Sequence, residues 1–297
     1  MKAYRRLLPL LLLLAVGALV AGCGGLGAVS GGKELTLGYI GWDENVAVSS
    51  LTKVLLEEEL GYEKVELQLA DLEPVFRGVA EGELDAFQDV WMPNHKDYLS
   101  AVEDDVEHLD PWFEGETAYG IAVPYYMDVR SLSELDRAGT DMIIGIESGA
   151  AFHPQIESKV IPGYDLDTKL VESSTPAMLS EVEKAYEMRE PIVFLGWSPH
   201  WMNTRYDFRY LEDPRDLQGK FNDPAEISSI VNDDLPENDP VAYEFIGSVS
   251  LSKEQVNRME ANINEAGDPD RGVKAWLEDN RSVVQPWIGA AKKAQGT

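Results

Sequence analysis

The sequence predicts an α/β chain of two lobes that close like a clamp on a cleft. Three observations carry this. Apolar residues alternate between strand and helix periods along nearly the whole chain. Two connections, near residues 123–126 and 197–214, link two α/β units. Three strand-like runs end in tryptophan, at Trp42, Trp91 and Trp197, and strand ends are where open α/β folds place ligands.

The first residues read as an export signal. Lys2, Arg5 and Arg6 form a positive n-region, and residues 7–20 form an apolar h-region too short for a comfortable membrane span. Val20-Ala21-Gly22 precede Cys23, the chain's single cysteine, and the pattern resembles a bacterial lipobox. In such signals the peptide is cut before the cysteine, which is then lipidated. No disulfide is then possible within the mature chain. Residues 1–22 are expected to be a lipoprotein signal peptide, and the Gly-rich residues 23–33 a flexible tether.

The body follows in order. Residues 35–40 form the first strand. Residues 47–60 form a helix, because Val48, Leu51, Val54, Leu55 and Leu60 share one face and Gly61 stops it. Strand 65–70 leads to helix 72–81, with Pro74 in its first turn and Gly82 beyond its end. Strand 84–90 and a helical stretch 94–102 come next. Strand 120–123 leaves the first lobe. A short helix 132–137, strand 142–146, a small-residue turn 147–151 and a helix from about Phe152 follow. A strand lies within 164–171, and helix 175–188 has Pro176 at its start. The apolar β-branched run 192–195 is a buried strand that turns at Gly196. Strand 208–211 precedes the Asp213-Pro214 break. Residues 217–239 read as loop, with Asn and Asp turns. Helices 240–247, 253–266 and 268–280 close the chain. The expected lobes are 34–122 with 214–297, and 123–213.

The formal net charge is −28. Loss of residues 1–22 takes cations and no acid with it, so the mature chain is more acidic still. Such a surface repels nucleic acid and anionic head groups. An apolar content of 44% is ample for a packed core and excludes disorder.

One tryptophan at a strand end reads as a plug for the sheet. Three suggest a shared aromatic surface. If they converge, their π faces form a box for a cation that cannot donate hydrogen bonds, each face contributing ~0.5–2 kcal/mol depending on desolvation. Trp112, Trp201, Trp276 and Trp287 read as packing, and His200 as a structural hydrogen-bond partner at its turn.

The segments GYIGWDENVAVSS, LDAFQDVWMPNHKDYL, IGIESGAAF and PIVFLGWSPHWMNTRYDFRYLEDP together resemble the OpuAC/ProX-like substrate-binding proteins of glycine betaine ABC transporters. The resemblance spans residues 35–287. It implies a periplasmic-binding-protein-like clamp of type II, monomeric and without cofactor or catalysis. It also implies a quaternary ammonium ligand and an ABC permease as partners, with attachment to the extracytoplasmic face of the cell membrane through the lipid on Cys23. Carried over residue by residue, Trp42, Trp91 and Trp197 form the cage round a trimethylammonium group. His95 and the backbone amides of Ala151 and Phe152 hold the ligand carboxylate, and an anion at a helix start is favoured by the dipole. The turn WMPNHK is one residue shorter than in the pattern it resembles, so His95 is expected to reach the site differently.

Choline-binding relatives place an acid near the first tryptophan. Asp43 and Glu44 follow Trp42 here; Glu44 facing the ligand and an acid capping the next helix are both open. The histidine favours betaine, since choline has no carboxylate; proline betaine and carnitine fit the same scheme. An exported hydrolase or metal protein is the other class. It lacks support: His95, His108, His153 and His200 are isolated, and Ser198 lacks the second glycine of a nucleophile elbow. A tyrosine among Tyr119, Tyr125 and Tyr126 is a candidate fourth wall.

Overall fold

The structure is a computed structural model and describes residues 33–296. The expected signal peptide, Cys23 and the tether up to residue 32 lie outside the described residues. Lys33, placed in the tether by sequence, already opens the first strand.

The chain runs β1 (Lys33–Tyr39), α1 (Asp43–Glu59), β2 (Tyr62–Leu69), α2 (Leu72–Ala80), β3 (Ala86–Met92), α3 (Lys96–Ser100), β4 (Val106–His108), β5 (Phe113–Glu114) and β6 (Ala118–Pro124). After a 3₁₀ turn at Leu132–Arg137 come β7 (Met142–Ile144) and α4 (His153–Gln155). A π-helical segment, Ile156–Val160, joins α4 to α5 (Ile161–Tyr164). Then follow β8 (Lys169–Val171), α6 (Thr175–Met188), β9 (Val193–Ser198), α7 (Met202–Arg205), β10 (Phe208–Tyr210) and β11 (Glu226–Asn232). The chain closes with α8 (Leu235–Asn238), α9 (Pro240–Ser248), β12 (Leu251–Ser252), α10 (Lys253–Ala266) and α11 (Pro269–Ala294).

Two five-stranded sheets result. The first has the order β2-β1-β3-β11-β4, with β1 parallel to β2 and β3, and β11 antiparallel to β3 and β4. The second has the order β10-β6-β9-β7-β8, with β7 parallel to β8 and β9, and β6 antiparallel to β9 and β10. In β1, Leu35 and Leu37 point inward and meet the buried face of α1, where Val48, Leu51 and Leu55 lie. Burying such side chains stabilises by ~1.5–3 kcal/mol each.

Several expectations need correction. Residues 217–239 are not a loop: β11 lies there, inside the first sheet, and its Ser228-Ser229 pair and bulge opposite β3 hide the strand pattern. β6 belongs to the second sheet, so the chain changes sheet before Ala118 rather than near 123. Trp91 and Trp197 lie inside β3 and β9, not beyond them. The last helix continues past Asn280, which forms a kink, to Ala294. α1 starts at Asp43, not 47, and neither acid caps it by side chain: Trp42 is the N-cap, in extended conformation, and Asp43 and Glu44 lie in the first turn.

Among the described residues, no helix is long and apolar enough to cross a membrane.

Candidate functional site

Local geometry brings the three tryptophans together. The turn after β1 is locked by the Asn45 side chain, whose Oδ1 accepts the Ile40 N–H at 2.7 Å. This projects Trp42 from the mouth of α1. β3 ends in the turn Met92-Pro93-Asn94-His95, and β9 in Ser198-Pro199-His200; each contains a cis X-Pro bond. The first of these turns closes on itself: the His95 N–H donates to the Trp91 carbonyl at 2.7 Å, and the Trp91 N–H donates to His95 Nδ1 at 3.1 Å.

Trp42, Trp91 and Trp197 line one pocket with Glu44, Asn94, His95, Tyr119, Ile146, Ala151 and Phe221. About 360 Å³ of space lies between its lining atoms, part of it open to solvent. Among the described residues, no two of the three indoles are in ring contact, so their faces leave a gap. Tyr119, one of the three tyrosines named from the sequence, also lines the pocket and stands 6.4 Å from Trp91 between ring centroids. Tyr125 is instead exposed, and Tyr126 donates to backbone carbonyls of Ala185 and Glu190.

Each indole N–H has a carboxyl acceptor. Trp91 Nε1 donates to Asp89 at 2.9 Å, Trp197 Nε1 to Glu44 at 2.8 Å, and Trp42 Nε1 to Glu147 at 3.1 Å. Trp201, expected to pack below, donates to Asp43 at 2.7 Å. His200 is structural as expected: Nδ1 accepts the Met202 N–H at 3.0 Å, and Nε2 faces Asp43 at 3.1 Å. Burial works against the Asp43 charge, but His200 and the bonds from His200 and Trp201 outweigh it and hold the carboxyl below its usual value.

The other acids behave oppositely. Burial, then the nearby Asp89 and Glu260, push the Glu44 carboxyl well above the usual range. Burial raises Asp89 to about 8, and burial with Asp43 nearby raises Glu260 on α10. The pocket thus backs onto acids that resist ionising, and a positive charge beside them would favour their charged forms.

His95 is almost wholly buried, and its pKa falls to about 3 through burial first and Lys220 second. The ring is neutral at physiological pH. Since Nδ1 accepts from Trp91, the proton sits on Nε2, which gives the pocket wall a neutral N–H donor. The amides of Ala151 and Phe152 have no hydrogen-bond partner among the described residues. They precede the helical run that begins at His153. The Phe152 side chain does not line the pocket; it stacks on Phe221 at 4.6 Å and supports the wall.

Of the expected ligand residues, Trp42, Glu44, Trp91, His95, Ala151 and Trp197 line this one pocket, and Phe152 is not among its lining. Asn94, Ile146 and Phe221 were not foreseen as lining. Asn94 lies inside the motif that carries His95, and Ile146 at the end of an expected strand; Phe221 lies in the stretch misread as loop. Among the described residues, no group of three or more His, Cys, Asp or Glu is placed to hold a metal.

Residues 33–279 match the family model OpuAC, described as the substrate binding domain of ABC-type glycine betaine transport systems. The chain belongs to the OpuAC family. This is a family of transporter binding proteins, not of enzymes. The lactococcal OpuAC, solved in a closed form complexed with glycine betaine, is 31% identical to this OpuAC-family chain. The match has a TM-score of 0.77 and covers 86% of this chain and 99% of the lactococcal one. A glycine betaine, L-proline-binding protein (ProX) from Borrelia burgdorferi is 25% identical, with a TM-score of 0.78, over 87% of this chain and all of its own. The glycine betaine/carnitine transport binding protein GbuC of Listeria monocytogenes is 33% identical over 157 residues, 52% of this chain. The match spans about half, 51%, of that relative's length. These likenesses establish the two-lobed α/β fold expected from the sequence.

Proposed function

We propose that the chain captures a trimethylammonium zwitterion, glycine betaine foremost, and delivers it to an ABC permease from the outer face of the cell membrane, anchored through a lipid on Cys23. The two lobes meet where the chain changes sheet, between β5 and β6 and between β10 and β11. The cation sits among Trp42, Trp91, Trp197 and Tyr119. Its methyl groups offer no hydrogen bond, so π faces stabilise it without unmet donors. The carboxylate is held by the Nε2–H of His95 and the amides of Ala151 and Phe152. The observation that carries this reading is one pocket that gathers three indoles and a neutral, buried donor, His95, in its wall.

Choline is the second reading, favoured by Glu44, a buried acid that lines the cage. In that case Glu44 balances the cation and the carboxylate donors stay idle.

Tryptophan-fluorescence titration of the wild type and Trp197→Ala with glycine betaine tests the cage. The variant should bind more than tenfold more weakly, the loss of a desolvated face and its packing. Wild-type affinity in Trp197→Ala would contradict the cage.

A further inference from the structure

Two of the three cage indoles are held from the opposite half of the molecule. Trp42 follows β1 of the first sheet, yet its acceptor Glu147 follows β7 of the second. Trp197 lies on β9 of the second sheet, yet its acceptor Glu44 is in the first turn of α1, which follows β1. Trp91 differs: its acceptor Asp89 is on its own strand. The exchange across the cleft is therefore reciprocal.

Glu147 lies outside the pocket lining but sits in a built seat. At the buried start of α6, the Thr175 N–H donates to its Oε1 at 2.8 Å and the Thr175 hydroxyl to its Oε2 at 2.9 Å. The oxygen that takes the Thr175 hydroxyl also takes the Trp42 N–H. Room for this carboxyl comes from Gly41, where a Cβ would stand 3.3 Å from Glu147 Oε1. The residue before the cage tryptophan thus lacks a side chain where the other lobe's acid arrives.

We infer that Glu147 is a positioning residue that orients the Trp42 ring from across the cleft, so that Trp42–Glu147 and Trp197–Glu44 form a reciprocal latch and complete the cage only when the lobes meet. The inference rests on the function proposed above. An indole has one N–H, and fixing it fixes which way the π face looks. Where the acceptor is ionised the bond is charge-assisted as well. It also pushes electron density into the ring, which deepens the negative face the cation meets. Before closure Trp91 is already fixed by Asp89, while Trp42 and Trp197 lack their acceptors. A contact made on closure acts mainly on ligand escape, so its loss shows in dissociation rather than association.

The test is stopped-flow binding of glycine betaine to the purified protein, wild type, Glu147→Ala and Glu147→Gln, with the indole N–H resonance of Trp42 followed by NMR and assigned through Trp42→Phe. Glu147→Ala should weaken binding about tenfold or more, mostly through faster dissociation, with association changed by less than about threefold. Glu147→Gln keeps the size and one acceptor oxygen, and should fall between; it decides the matter if Glu147→Ala does not fold. In the bound state the Trp42 resonance should move in both variants, most in Glu147→Ala. Wild-type affinity in both variants would overturn the latch while leaving the proposed function standing. So would weaker binding with the Trp42 resonance unmoved, which would make Glu147 only structural. A wild type that binds no betaine would overturn the function, and the latch with it.

Discussion

At the scale of residues, the site is a set of tryptophans each tied to an acid. The tryptophans were legible because three strand-like runs ended in the same bulky residue, which packing alone does not require. Their acid partners were not. Glu147 lies 105 residues from Trp42 and Glu44 lies 153 from Trp197 in sequence, and nothing local marks such a pairing. Asp89 shows what these acids do to stability. Its carboxyl is near 3.9 in an unfolded chain and is held at about 8 in the fold by burial. Between those values the native state keeps a proton that the unfolded chain has lost. The Asp89 contribution is therefore complete below about pH 4 and is lost as the pH rises toward about 8. Glu44 and Glu260 shift in the same direction. Asp89→Asn still offers Trp91 an acceptor and should flatten the fall in thermal midpoint between about pH 4 and about pH 8. A variant with the wild-type pH slope would show that Asp89 does not hold its proton in the fold.

At the scale of elements, the helices with a clear apolar face and a recognisable stop were legible to within a few residues. α6 and α10 match their expected bounds, helped by Pro176 near the start of one and by the Ser252 capping box and Gly267 at the two ends of the other. β11 was missed because a strand covered on both faces needs no alternation, and Ser228-Ser229 dilutes its apolar run. The continuation of α11 was missed because Asn280 departs from helical geometry and looks like an end. α11 also reaches α10 at a point where only glycine fits: a Cβ at Gly272 would lie 2.4 Å from the Ile263 Cα and 2.6 Å from its N. Backbone atoms cannot swing aside. Gly272→Ala should cost ~1–3 kcal/mol, the usual range for overpacking, and lower the thermal midpoint by at least about 2 °C. An unchanged or raised midpoint would mean that the two helices can separate freely. Since α1 packs on both helices, this junction backs the element that carries Asp43 and Glu44.

At the scale of the whole molecule, two sheets of similar size face one cleft, and the chain passes between them twice. That double connection was legible as two breaks in the strand–helix alternation. The first was placed a few residues late because β6 follows the crossing and joins the second sheet. The large negative charge does not contradict a cation-binding cleft; it favours the approach of a positive group and disfavours free anions. A zwitterion meets both demands when its carboxylate finds local N–H donors, which is the arrangement proposed for His95, Ala151 and Phe152.

The most direct test of that arrangement is a calorimetric titration of the purified protein with glycine betaine and then with choline at neutral pH. The carboxylate donors and the cage together require betaine to bind at least about tenfold more tightly than choline, a difference of about 1.4 kcal/mol. Choline binding as tightly as betaine, or more so, would contradict the carboxylate site and leave Glu44 as the residue that selects the ligand.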